Sequence, residues 1–309
     1  LIISPRFLFA FAGIFILLAG CTREEPTRVN LTNSKVMTPT SSVKGPEPIK
    51  IGMGAMITPK EGYAYYYQMK EYLAQKIGWP VELVDRDTYD QIAKALKSDE
   101  LNVAFVCSGP YVEGHDSYGL KIVAVPVVNG TPTYHAYIIV HQKSQIRDFQ
   151  QLRGASFAFT DPKSNTGKIV PTYMLAKMNE TPESFFRKTI YTYGHDKAIK
   201  AVAEGFVEGA SVDSLIWENI QRAHPELTAK TRIIAKSPPY GIPPLVATKK
   251  LDPHIFNALQ NTLLSMHKDE AGKKILAGMN IDRFALQPDS AYDSVREMNR
   301  WIASQKVAK

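Results

Sequence analysis

The stretch Asp161-Pro162-Lys163-Ser164-Asn165-Thr166-Gly167 stands between the apolar run Ala155-Ser156-Phe157-Ala158-Phe159 and the segment Lys168-Ile169-Val170-Pro171-Thr172-Tyr173-Met174-Leu175-Ala176. The first run predicts a strand and the second a helix of one or two turns. A strand that passes through a Ser/Asn/Thr/Gly turn into a helix aims several free backbone N–H groups at one point. The helix dipole adds about half a positive charge there. The side chains of Ser164, Asn165 and Thr166 can add donors. Two readings of the turn stay open: a plain helix N-cap, where Ser, Thr and Asn are favoured, and an anion site. A nucleotide P-loop is excluded, because Ile169 follows Thr166-Gly167-Lys168 where Ser or Thr is required, and the upstream Gly is missing.

On both sides of this stretch, strand-like and helix-like runs alternate, which argues an α/β fold. Strands are expected at 49–53, 81–84, 103–106, 122–128, 134–140, 209–212, 232–235 and 245–248. Helices are expected at 65–77, 89–96, 146–152, 197–204, 215–222, 253–268, 271–278 and 290–304. The strand at 134–140 stands where the chain could cross from one lobe to another, and 244–248 where it could return. No repeat of fixed period is visible. About 260 residues follow Pro48, enough for one large or two medium domains.

The first residues differ in kind. Arg6 precedes an apolar run from Phe7 to Leu18, which has signal-peptide length and is short for a membrane span. It ends in Leu18-Ala19-Gly20-Cys21, which resembles the lipobox of bacterial lipoproteins, where the cysteine is lipidated. The alternative is an uncleaved anchor; either way the protein is expected outside the cytoplasm and tethered to a membrane. Residues 22–48 are polar, rich in Ser, Thr and Pro, and read as a tether reaching about 30 Å. Cys107 is then a lone thiol, expected to be buried and inert, with no disulfide partner.

The formal net charge of +7 fits a solvated basic surface and also favours an anionic ligand. No Lys/Arg block carries interleaved aromatics, which speaks against nucleic acid. The histidines are scattered and no Cys/His pair has ligand spacing, so neither a metal nor another cofactor is expected.

Four stretches taken together carry a resemblance. They are Asp87-Thr88-Tyr89 with Asn102-Val103-Ala104-Phe105 and Ser108-Gly109-Pro110-Tyr111; Thr133-Tyr134-His135-Ala136-Tyr137; the opening turn with Val170-Pro171; and Gly194-His195-Asp196 with Ala201 to Gly205 and Val207 to Ala210. In this order and spacing the chain resembles the phosphate/phosphite/phosphonate-binding proteins of ABC importers, the periplasmic phosphonate-binding family. The resemblance implies a two-lobed periplasmic-binding-protein fold (type II) with the ligand in the cleft. The organisation that follows is a signal peptide at 1–20, a lipidated Cys21 and tether at 21–48, a first lobe from 49–136 and 247–305, and a second lobe from 137–246.

It also implies roles. Ser164, Asn165 and Thr166 fall where the family's Ser-Thr-Ser turn grips phosphonate oxygens; Asn165 departs from the middle Thr but can still donate. Tyr89, Tyr134 and His195 match donors to the same oxygens. Asp213 is a candidate acceptor for a P–OH proton, and Ser108 stands at a strand end facing the cleft. Leu215 and Pro243 stand where an aminoethylphosphonate-binding member has a Glu and an Asp for the ammonium. The expected ligand is therefore a small phosphorus oxyanion without an ammonium arm: phosphite, phosphate or methylphosphonate. The expected protein is a monomeric lipoprotein that delivers this ligand to an ABC permease; the alternative is the binding component of a sensor. Ser164, His195 and Asp213 could also be read as a hydrolase triad, but Ser164 lacks the Gly-x-Ser-x-Gly elbow, so no enzyme is expected.

Overall fold

The computed structural model describes residues 46–54 and 63–307. The signal segment, Cys21 and most of the tether lie outside the described residues. Thirteen strands are described: β1 (Ile49–Met53), β2 (Val81–Asp85), β3 (Val103–Phe105), β4 (Lys121–Val127), β5 (Thr133–Tyr134), β6 (Ala136–His141), β7 (Ser156–Phe159), β8 (Lys188–Tyr191), β9 (Gly209–Asp213), β10 (Thr231–Lys236), β11 (Tyr240–Gly241), β12 (Leu245–Ala247) and β13 (Arg283–Ala285). They form a six-stranded sheet ordered β13-β4-β12-β3-β1-β2, a five-stranded sheet ordered β10-β6-β9-β7-β8, and a two-stranded ribbon of β11 and β5.

The two large sheets share one plan. In the first, β1 lies parallel between β2 and β3, and β12 runs antiparallel between β3 and β4. In the second, β7 lies parallel between β8 and β9, and β6 runs antiparallel between β9 and β10. Each antiparallel strand is the first to enter its sheet after a crossing. The crossings themselves are β5 and β11, which pair antiparallel with Tyr240 opposite Tyr134. Residues 245–247, where the return crossing was expected, therefore form a strand of the first sheet, and the crossing passes a few residues earlier, at Tyr240–Gly241.

Helices cover both faces of each sheet, so the central strands bury both faces and read as unbroken apolar runs. Ile51, Met53, Met69, Leu73, Leu245 and Leu263 belong to one core cluster of the first sheet, and Ile139, Ala158, Ile199 and Val212 to one of the second. A further cluster joins the lobes, with Tyr134, Val170, Tyr240, Ile242, Val295 and Met298 in contact.

Ser108, expected at a strand end, is the first residue of a helix, Ser108–Tyr118. Gly109, Pro110 and Gly114 are poor helix formers, but every residue from Ser108 to Val112 is buried, so packing overrides propensity. The edge strands β8 and β13 are too short to show a clear alternation. The helix expected over 146–152 reduces to a 3₁₀ turn, Gln150–Leu152.

Candidate functional site

The parallel strands end in turns that feed helices directly. Behind β2, β3, β7, β8 and β9 stand the N-caps Thr88, Cys107, Ser164, Gly194 and Asp213. Seven of the eight expected site residues occupy these helix starts. Tyr89, Ser108, Asn165 and His195 are first helical residues, Thr166 is a second, and Ser164 and Asp213 are caps. Tyr134 is in the crossing strand β5. The helix after β7 opens with a wide π turn, Asn165–Ile169, before it continues as Val170–Lys177. Gly167 lies flush against Thr160, whose side chain fills the space a Cβ would need.

All eight side chains are 5% exposed or less. Specific bonds link several of them, and the Asp213 carboxyl lies close enough to Tyr89, Tyr134 and Cys107 to act on them electrostatically. Asn165 Nδ2 lies 3.1 Å from the Tyr134 hydroxyl, and that hydroxyl lies 3.1 Å from Ser108 Oγ. Ser108 Oγ donates to the Gly241 carbonyl at 2.7 Å. Ser164 Oγ accepts the Gly167 N–H at 3.0 Å, which leaves its own hydrogen available, and lies beside the Tyr89 hydroxyl. His195 Nδ1 accepts the Asp213 N–H at 2.9 Å, so the ring hydrogen sits on Nε2. Asp213 Oδ1 in turn accepts the Leu215 N–H at 2.7 Å and caps its own helix.

Three buried polar atoms of this cluster have no partner: Thr166 Oγ1, His195 Nε2 and Asn165 Oδ1. Such atoms are rare in native proteins and point to an absent partner. Burial shapes the titrations here. It pushes the His195 imidazole down to about 3, so the ring is a neutral donor. It pushes the Asp213 carboxyl up to about 7, against the pull of the Leu215 and Ile216 N–H groups. Burial also raises Tyr89, Tyr134 and Cys107, and all three stay protonated. None of the eight residues is a fixed cation, so an anion here would be met by hydrogen bonds and helix starts.

The triad reading fails on geometry. His195 is bonded to the main chain of Asp213, not its carboxylate, and its Nε2 does not reach Ser164. Among the described residues no group of three His, Cys, Asp or Glu could hold a metal ion.

Residues that the sequence did not single out hold the two sides together. Asp161 Oδ2 accepts the Tyr89 N–H at 3.2 Å, and Lys163 Nζ reaches Glu113 at 3.0 Å. The Asn165 N–H points at Cys107 Sγ at 3.4 Å. Asp161 and Lys163 were in plain view in the opening turn, but nothing local told that their partners lie on the other lobe. A narrow crevice with room for little more than a water, lined by Gly54, Ile92, Phe105, Val106 and Pro110, adjoins Tyr89 and Cys107.

The chain matches, over residues 51–292, the family described as the phosphonate ABC transporter's periplasmic substrate-binding protein. It is 23% identical over 240 residues to the phosphonates-binding periplasmic protein of Escherichia coli K12, covering 76% of this chain and 71% of that one. Its fold is similar to that of a binding-protein component of an ABC phosphonate transporter from Pseudomonas aeruginosa, with TM-score 0.79, 23% identity, and 85% and 89% of the two chains covered. It is also similar to PhnD1 from Prochlorococcus marinus in complex with methylphosphonate, with TM-score 0.75, 17% identity, and 82% and 97% covered. These are type II periplasmic binding proteins, solute carriers rather than enzymes. The chain belongs to the periplasmic phosphonate-binding family of ABC-transporter substrate-binding proteins.

Proposed function

We propose that the protein captures phosphite, phosphate or methylphosphonate between its two lobes and, held to a membrane by a lipid on Cys21, delivers it as a monomer to its permease. The observation that carries this reading is the set of buried atoms without partners among five helix starts. Thr166 Oγ1 and His195 Nε2 are free donors, and Ser164 and Tyr89 add hydroxyls beside them. A tetrahedral oxyanion would supply the acceptors. An ammonium arm has no counterpart. Leu215 packs with the apolar cluster that joins the lobes, and Pro243 is buried. Of the acids that could serve instead, Asp213 caps its own helix through the Leu215 N–H at 2.7 Å and Glu218 is held by the Tyr137 hydroxyl at 2.7 Å. Enclosing an ammonium without a partner costs several kcal/mol.

Calorimetry on the protein from Pro46 onward, against phosphite, phosphate, methylphosphonate and aminoethylphosphonate, tests the ligand. One of the first three binds tightest. Ser164→Ala or Thr166→Ala weakens it by roughly ten- to a hundredfold, the worth of a hydrogen bond to a charged group. Tightest binding of aminoethylphosphonate, or two silent variants, would refute the reading. Cys21→Ala tests the anchor: the full-length variant leaves the membrane fraction while its domain stays folded.

A further inference from the structure

The hydrogens around Tyr134 decide which end of the Asn165 amide faces the ligand. The Gly241 carbonyl can only accept, so Ser108 gives it the hydroxyl hydrogen at 2.7 Å. Ser108 Oγ also faces the Tyr134 hydroxyl, 3.1 Å away, with the Tyr134 oxygen on the accepting side, and the Tyr134 hydrogen is left to turn toward Cys107 Sγ at 3.7 Å. Tyr134 in turn has only lone pairs for Asn165, whose Nδ2 lies 3.1 Å away. The relay fixes the amide with its nitrogen on Tyr134. Its oxygen is left buried and without a partner, in a cluster whose other open groups donate.

We propose that Asn165 is a specificity residue: its Oδ1 accepts the hydrogen of a P–OH group, so the site takes an oxyanion that carries at least one acidic hydrogen and rejects the fully deprotonated form. This rests on the oxyanion reading above and adds which protonation state is bound. A bare oxygen opposite Oδ1 would set lone pair against lone pair. It would also leave a buried acceptor unpaired, a loss of roughly ten- to a hundredfold in affinity. Tyr134 and Ser108 are positioning residues for this contact.

Among the titratable groups facing Asn165, Asp213 alone changes charge near neutral pH, at about 7. His195 is neutral from about 3 upward. Tyr89, Cys107 and Tyr134 are held protonated by burial. Burial raises the Asp161 carboxyl, against the Tyr89 and Lys163 N–H groups it accepts, and Lys163 stays charged against Glu113. An affinity that falls with rising pH can therefore come from the ligand's hydrogen or from Asp213. The two differ in one respect: a ligand hydrogen gives a midpoint that moves with the ligand, and Asp213 gives one midpoint for all.

The test is calorimetry on the purified protein across neutral pH with phosphite, methylphosphonate, phosphate and sulfate. Affinity for phosphite and for methylphosphonate falls about tenfold per pH unit above each ligand's own second ionisation, so the two midpoints differ. Phosphate, whose dianion keeps a P–OH, shows no such ligand-linked fall. Sulfate, of similar shape but without a hydrogen, binds at least tenfold more weakly than phosphate. Asn165→Thr, whose hydroxyl can turn to donate, gains sulfate and dianion binding and loses the ligand-dependent midpoint. Coincident midpoints for phosphite and methylphosphonate, or sulfate bound as tightly as phosphate, would overturn the proposal; both are read on the wild-type protein. Binding without such selection overturns this proposal alone, whereas no oxyanion binding at any pH overturns the oxyanion reading and this one with it.

Discussion

His195 shows how much a single residue's chemistry is set by its neighbours. Its Nδ1 is occupied by the Asp213 N–H, and burial lowers its pKa from the ordinary 6.5 to about 3. A depressed pKa means that the folded protein refuses a proton the unfolded chain accepts. The stability held above pH 6.5 is therefore lost as pH falls toward 3, by up to about 1.4 kcal/mol per pH unit. Urea unfolding of the ligand-free protein across this window shows the slope, and His195→Gln flattens it relative to wild type. Equal slopes in the two proteins would mean that the ring takes up a proton in the folded state. Ser164 and Thr166 stood out in the sequence because they follow a strand-like run and open a helix, whereas His195 was singled out by the family resemblance alone. The contacts of the Tyr134 hydroxyl did not stand out. It lies against Ser108, 26 residues away, which in turn donates to the Gly241 carbonyl, 133 residues away. No local pattern encodes that relay.

At the scale of elements, the helix Ser108–Tyr118 was the segment hardest to read and is the one that meets the opening turn. Gly109 has the room problem typical of a close approach. A Cβ built there would come within 2.5 Å of the Lys163 carbonyl, which belongs to the other lobe. Its neighbour Ser108 holds the return crossing through Gly241. The equivalent helix of the second lobe starts with Ser214, which accepts the His135 N–H at 3.0 Å and so holds the outward crossing. The same residue type at the same place in both lobes pins both strands of the connection, a symmetry without any visible sequence repeat. Gly109→Ala separates helix strength from lobe contact. Alanine favours the helix by about 1 kcal/mol, while the clash with a backbone carbonyl costs about 1–3 kcal/mol of closure. The expected outcome is a domain no less stable toward unfolding whose ligand affinity falls roughly tenfold. Unchanged affinity in calorimetry would show that the approach at Gly109 is not needed for binding.

For the whole molecule, the alternation of apolar runs with helical stretches was enough to read the α/β class, since each central strand is buried on both faces. The position of the return crossing was not, because Leu245–Ala247 is as apolar as any strand and only its pairing shows that it belongs to the first sheet. Apart from the apolar cluster that joins the lobes, the contacts between them at the rim are of modest strength. Lys163 reaches Glu113 at the rim, and Lys177 lies 3.6 Å from the ring centre of Trp301 on the C-terminal helix Asp293–Val307. Exposed ion pairs contribute about 0–1 kcal/mol, and cation–π contacts at exposed sites about 0.5–1 kcal/mol. Against them stand three buried atoms without partners, Thr166 Oγ1, His195 Nε2 and Asn165 Oδ1, each costing about 1–3 kcal/mol while the cleft is shut and empty. An open cleft lets water satisfy them, so the ligand-free protein favours opening about the β5–β11 ribbon. A bound oxyanion removes that cost and shifts the population to the closed form. Small-angle scattering should therefore report a smaller radius of gyration with saturating ligand than without. Equal radii in the two states would mean that the two lobes are already held shut, and that ligand enters without a hinge motion.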